Sequence, residues 1–382
     1  MKNLKILVAL LMVTVLLAGS LMMGCGGASS TKAAAPSTSA AAPSTSAAAT
    51  SAAPATSAAA TTSAVKAIEI KISTHFPATH ATTTDLFAPF IEKLAAATEG
   101  RVTAKLYPAG QLGKETEEYD MVLKGTCEAS LIVPTYNAGR FPLEDIFQLP
   151  FLIPGGANSA EGKAIRDMLY TKYLNQNQFS DMKVLWTSRF EPNVLHMVKK
   201  PVRTVSDMSG LMIGYPGGSL PAEFLTAFGA SPEQVMAPDM YTSLERGMID
   251  GQLMPLETEL GFKLIDLTKY ITTLNLGAGT AFVGLRMETW NSISAKDQAA
   301  ITDICNNWAE DQNGKVLEGI TTAATGACKG AGIEFISLSD ADMAKLNELA
   351  QPVQTAWIAK MAAQGFPAQA MVDDVNAMLA SK

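Results

Sequence analysis

The chain has 382 residues, a formal net charge of −7 and 17% charged residues against 48% hydrophobic ones. An acidic balance of this kind argues against nucleic acid or an anionic membrane surface as a partner. The length is enough for two lobes with a sizeable core.

The first segment is for targeting. Lys2 and Lys5 precede an apolar run from Ile6 to Leu17, broken only by Thr14, and small residues Ala18, Gly19 and Ser20 follow. This order is that of a secretory signal, and the run is short for a bilayer span. The Gly24-Cys25 step resembles the lipobox of bacterial lipoproteins, with Met22 and Met23 departing from its usual residues. The resemblance implies a signal peptide over 1–24 and a diacylglycerol-bearing Cys25. Removing 1–24 takes away two lysines and no acid, which leaves a charge of −9. Residues 26–66 are almost wholly Ala, Ser, Thr, Pro and Gly, with AAPSTSAAA recurring. They have no apolar period, so 25–66 is expected to be a disordered, lipid-anchored linker. As a coil it would span about 35 Å.

Residues 67–382 carry the fold. Alternating Ile68, Ile70 and Ile72 predict a first strand that ends at Ser73-Thr74-His75. Leu86, Phe87, Phe90, Ile91 and Leu94 predict a helix stopped by Gly100, and Val102, Ala104 and Leu106 a second strand. Helices are expected over 115–124, 159–174 and 219–228, and strands over 128–133, 182–188, 194–199, 211–215, 250–254, 271–276, 281–287 and 333–338. One long helix is expected from Lys296 to about Ala327, followed by that last strand and two C-terminal helices. It would hold Cys305 and Cys328 about 35 Å apart at about 1.5 Å per residue, too far for a disulfide. Cys127, Cys305 and Cys328 are therefore expected to be reduced and buried. Strands alternating with helices predict an α/β fold with parallel sheet, and two lobes with a ligand cleft between them.

From about His75 to Ala300 the chain resembles the DctP-type solute-binding proteins of TRAP (tripartite ATP-independent periplasmic) transporters. Thr98-Glu99-Gly100-Arg101-Val102 and Tyr107-Pro108-Ala109-Gly110-Gln111-Leu112-Gly113 are similar to that family's first turns. Lys200-Pro201-Val202-Arg203-Thr204-Val205, then Asp207-Met208-Ser209-Gly210-Leu211, resemble a later segment, and so do Met240 to Gly247 with Asp250-Gly251. The resemblance implies a two-lobed periplasmic-binding-protein-like fold with a long helix spanning the lobes. Lobe I would hold about 67–187 and part of 278–382, and lobe II about 188–277 and the rest of the C-terminal helices.

The family usually places an Arg after the segment Gly210-Leu211-Met212-Ile213, where it forks onto a ligand carboxylate. A guanidinium suits that task because it is planar, permanently charged and bidentate. This chain has Gly214 there. Arg286, where the family commonly has a neutral residue, and Arg189, at the end of a strand, are the candidates to replace it. Otherwise Gly214 opens the pocket to a bulkier or neutral solute, stacked on Tyr215. His75 ends the first strand, Thr135 and Tyr136 follow the strand closed by Pro134, and Tyr215 and Tyr241 are further candidate contacts. Glu257 either binds an amino or hydroxyl group or caps a helix. His80 reads as a helix-start residue and His196 as packed or solvated within a strand.

No HExxH, GxSxG, P-loop or GxGxxG pattern is present, so no enzyme is expected. The histidines and cysteines show no metal spacing. The expected role is an extracytoplasmic receptor that delivers a small organic anion to membrane permease subunits, held to the membrane by its lipid alone and needing no cofactor. A ligand sensor for a membrane receptor is the rival reading.

Overall fold

The computed structural model describes residues 67–381 apart from Ala138. The expected signal peptide, Cys25 and the linker lie outside the described residues. Eleven strands are described: β1 (Ile68–Ser73), β2 (Val102–Tyr107), β3 (Ala129–Ile132), β4 (Met182–Arg189), β5 (Asn193–Met197), β6 (Met212–Tyr215), β7 (Ser231–Gln234), β8 (Gly251–Pro255), β9 (Tyr270–Leu276), β10 (Thr280–Arg286) and β11 (Glu334–Ser337). They form two sheets, one in the order β2-β1-β3-β10-β4 and the other β11-β9-β5-β8-β6-β7.

The alternation of elements predicts parallel sheets, and the structure corrects this: both are mixed. β1 runs parallel to β2 and β3, while β10 runs antiparallel to β3 and β4. In the second sheet β5 is antiparallel to β8 and β9. The reversed strands flank the two points where the chain passes between sheets. Only Phe190 to Pro192 joins β4 to β5, and only Gly277 to Gly279 joins β9 to β10. A direct handover leaves no room for the crossover helix that would restore a parallel direction. The two connectors bond to each other, with Phe190 N donating to Gly279 O at 2.9 Å and Asn193 N to Gly277 O at 3.0 Å. This paired crossing is the hinge between the lobes.

The short edge strand β7 has no counterpart in the sequence reading. It is exposed and polar and contains Pro232, so it shows no alternation and is tolerated only because an edge strand can forgo a ladder donor.

The expected long helix is continuous, with α-helix over Ala295–Ile304, one π turn over Cys305–Ala309, and α-helix again over Glu310–Gly330. Cys305 packs with Leu185, Trp186 and Val283 of the first sheet. Cys328 packs with Val194 and Ile271 of the second. The helix therefore lies across both lobes. Cys127, Cys305 and Cys328 are free and buried, and burial pushes each thiol up to about 12. The C-terminal helices bridge the lobes a second time. Asp340–Ala363 packs on Ser219–Ala227, and Ala368–Ala380 on Ala160–Leu169.

Candidate functional site

The loops that leave the carboxyl ends of β1, β3, β6 and β8 converge with the two hinge connectors on one cavity, about 760 Å³ with its mouth. A concave, mainly apolar site with a few polar groups suits a small molecule. From the first lobe come His75, Phe76 and His80 after β1, and Thr135 and Tyr136 after β3. From the second come Tyr215, Pro216 and Gly217 after β6, and Glu257 and Thr258 after β8. Most of the wall is apolar or aromatic.

His75 is buried, and its Nδ1 lies 3.2 Å from Glu118 Oε1 and 3.3 Å from Oε2. Burial raises the Glu118 carboxyl, and the His75 ring opposes that rise. Phe76 stacks on His80 at 4.2 Å and lies 4.5 Å from the His75 ring. His80 also serves as a helix start, since its Nδ1 accepts from Thr82 N at 3.1 Å. Burial, helped by His75, lowers His80 to about 4, which keeps it neutral near pH 7.

Glu257 is 4% exposed, and burial pushes its carboxyl up to about 8. It has only the Thr321 hydroxyl, 3.5 Å from Oε2, as a side-chain partner. Without ligand the folded protein therefore holds a proton on Glu257 that the unfolded chain gives up near its ordinary value of 4.5. An acid raised in this way favours folding more as pH falls. The gain should run from pH 8 down to 6.5, below which the lowered His80 begins to oppose it. We expect the unfolding free energy to rise by about 1–2 kcal/mol over that window from Glu257 alone. Glu257→Gln should remove this share of the slope, read by denaturant titration at each pH, and leave the part that Glu144 and Asp145, both pushed up to about 7 by burial, contribute as pH falls.

Five of the nine residues expected at the site share this wall: His75, Thr135, Tyr136, Tyr215 and Glu257. Four lie off it. Arg189 is 2% exposed and donates through Nη1 to Gly155 O at 2.8 Å and through Nη2 to Ile153 O at 2.9 Å. Arg286 ends β10 beside Gly125 and pairs with Glu288 at 2.5 Å. A side chain at Gly214 would meet Ile249 Cδ1 at 2.6 Å and the Met240 sulfur at 3.0 Å, so that position faces packed core. Tyr241 packs against the apolar cluster of Met240, Leu244 and Leu264.

No Lys or Arg lines the cavity among the described residues. Its second lobe instead presents a helix start. Ser219–Ala227 begins at Gly218, whose φ of 87° excludes most side chains, and no side chain caps it. The N–H groups of Gly217, Gly218 and Ser219 have no acceptor among the described residues. Gln148 is 4% exposed and lines the cavity, with both amide atoms 3.4 Å from where a Cβ on Gly218 would sit. Gln148, Asn193, Gly217 and Phe262 were missed in the sequence. They sit on four separate segments whose convergence no local spacing announces.

Two mixed-sheet lobes, a short paired hinge and a cavity between them define a two-lobed solute receptor. The chain belongs to the bacterial extracellular solute-binding protein family 7 (DctP), whose family model matches residues 72–360. It is similar to a TRAP periplasmic solute-binding protein of Bordetella bronchiseptica solved with bound (R)- and (S)-mandelate. The identity is 26%, the TM-score 0.74, and the match covers 82% of this chain and 99% of that one. A marine-metagenome TRAP protein specific for aromatic acid ligands, with 3-hydroxybenzoate bound, shares the fold at TM-score 0.76 and 24% identity, over 82% and 98% of the two chains. The C4-dicarboxylate-binding periplasmic protein of Rhodobacter capsulatus is 23% identical over 297 residues, 74% of this chain and 84% of that one. No helix among the described residues is long and apolar enough to cross a membrane.

Proposed function

We propose that the protein captures a small organic acid in this cavity and delivers it to the membrane permease of a TRAP transporter. The observation that carries the reading is the uncapped start of the Ser219–Ala227 helix beside the Gln148 amide, which has no side-chain hydrogen bond among the described residues. Unpaired N–H groups and the positive end of a helix dipole favour an anion. In this reading the role expected of Arg286 or Arg189 passes to amide donors, because both guanidinium groups are engaged elsewhere. The relatives solved with mandelate and with 3-hydroxybenzoate support an acid with an aromatic or similarly apolar body, and the aromatic wall of Phe76, Tyr136 and Phe190 suits one.

The test uses matched pairs. Benzoate and mandelate should raise the melting temperature, whereas benzamide and mandelamide should do so much less. Gln148→Leu should weaken the acids by about tenfold or more, the cost of a lost hydrogen bond to a charged group. Equal binding of the amides would instead favour a neutral solute, which the lack of a cation on the wall would also suit. Anchoring belongs to the same proposal: a palmitate analogue should label the wild-type chain and fail to label Cys25→Ser.

A further inference from the structure

The buried glutamates of the two lobes differ in one respect. Glu259 lies 2.5 Å from His196 Nδ1 and accepts from Thr268 at 2.7 Å. Glu118 has His75, and Glu144 accepts from Thr280 at 2.7 Å. Glu257 is buried as they are but faces the cavity, and its one side-chain contact is the distant Thr321 hydroxyl at 3.5 Å. A buried carboxyl group held by one long side-chain hydrogen bond is costly, and no Lys or Arg on the cavity wall offsets it. The charge nearest in effect is another acid, Glu191 on the hinge connector. Glu191 itself lies off the wall, accepting from Ala157 N at 2.9 Å, so Glu257 is the one acid among the described residues that faces this cavity without Lys or Arg, and it forms a place for a cation.

We propose that the solute is a zwitterion, with a protonated amine seated on Glu257 and its acid group received at the start of the Ser219–Ala227 helix. This rests on the acid-capture reading and adds a second pole to it. The two poles come from different loops of the second lobe, after β8 and after β6, so they fix the orientation of the solute while the first lobe closes over it. The amine also explains why this wall dispenses with a guanidinium: a cation beside Glu257 would repel the ligand's own.

Pairs of equal shape test it on the full protein by calorimetry and thermal shift. β-Alanine is set against butyrate, γ-aminobutyrate against pentanoate, and p-(aminomethyl)benzoate against p-ethylbenzoate. The amine-bearing member should bind at least tenfold more tightly in at least one pair, and Glu257→Gln should bring that ratio close to one. The wild-type comparison stands even if the variant folds poorly. Binding of plain acids with no gain from the amine overturns the zwitterion and leaves acid capture in place. Binding by no acid of either series overturns both. A preference for the amine that survives in Glu257→Gln overturns the assignment to this residue.

Discussion

Gly217→Val should weaken solute binding by about 5- to 150-fold while leaving the unliganded melting temperature nearly unchanged. Gly217 lies on the second lobe after β6, and a Cβ there would sit 2.7 Å from Thr135 O and 3.3 Å from its carbonyl carbon, on the first lobe after β3. Both atoms are backbone, so neither can swing aside as the end of a side chain could. The strain of such overpacking is about 1–3 kcal/mol, which gives the range above at about 1.4 kcal/mol per tenfold. The cost falls on the closed form alone, because parting the lobes relieves it. Gly217 is also a cleaner probe than Gly218, whose φ of 87° would strain any replacement in every state. Calorimetry gives the affinity, and small-angle scattering shows whether solute still compacts the molecule. Unchanged affinity with normal compaction would mean that the lobes do not meet at this point when solute is bound.

The framework was legible because it depends on local period. Alternation at Ile68, Ile70 and Ile72 places β1, and apolar residues at three- and four-residue steps place the long helix that joins the lobes. The direction of the strands was not legible. It follows from two three-residue connectors, and a short apolar run reads the same whichever way its neighbour points. The site was half legible for a related reason. Residues at strand ends, such as His75, Thr135, Tyr136 and Tyr215, fall at a cleft in any fold of this class. Scanning for a charge to hold an anion leads to Arg189 and Arg286. Nothing in the spacing reveals that the carbonyls of 153–155 enclose the first, or that the second ends its strand away from the cavity wall. Amide donors carry no mark in a sequence, so a helix start used as an anion site is visible only once Gly217, Gly218 and Gln148 are seen together.

His196→Ala should cost about 3–5 kcal/mol of unfolding free energy, because it strips a buried acid of its main partner. His196 and Glu259 are wholly buried, with Nδ1 and Oε1 2.5 Å apart. The ring Nε2 lies 3.0 Å from Met254 O and must donate there, since a carbonyl only accepts. Nδ1 and Glu259 therefore share a single proton, and Thr268 donates to the same carboxyl oxygen, Oε1, at 2.7 Å, while Oε2 has no partner among the described residues. Deleting the imidazole leaves an acid in the core with Thr268 alone, and an uncompensated buried charge carries a penalty of about that size. Replacing both partners with apolar residues, His196→Phe with Glu259→Leu, should recover most of the loss, because the desolvation of both groups is then avoided. Denaturant titration of His196→Phe, Glu259→Leu and the double closes the cycle. A cost below about 1 kcal/mol for His196→Ala, well under the usual penalty, would show that water or a local shift replaces the ring. The same substitution should reach the solute. Met254 lines the cavity three residues before Glu257, and His196 holds its carbonyl. Affinity should therefore fall in His196→Ala under conditions where the protein is still folded, and recover less in the double variant than stability does, because phenylalanine has no donor for Met254 O.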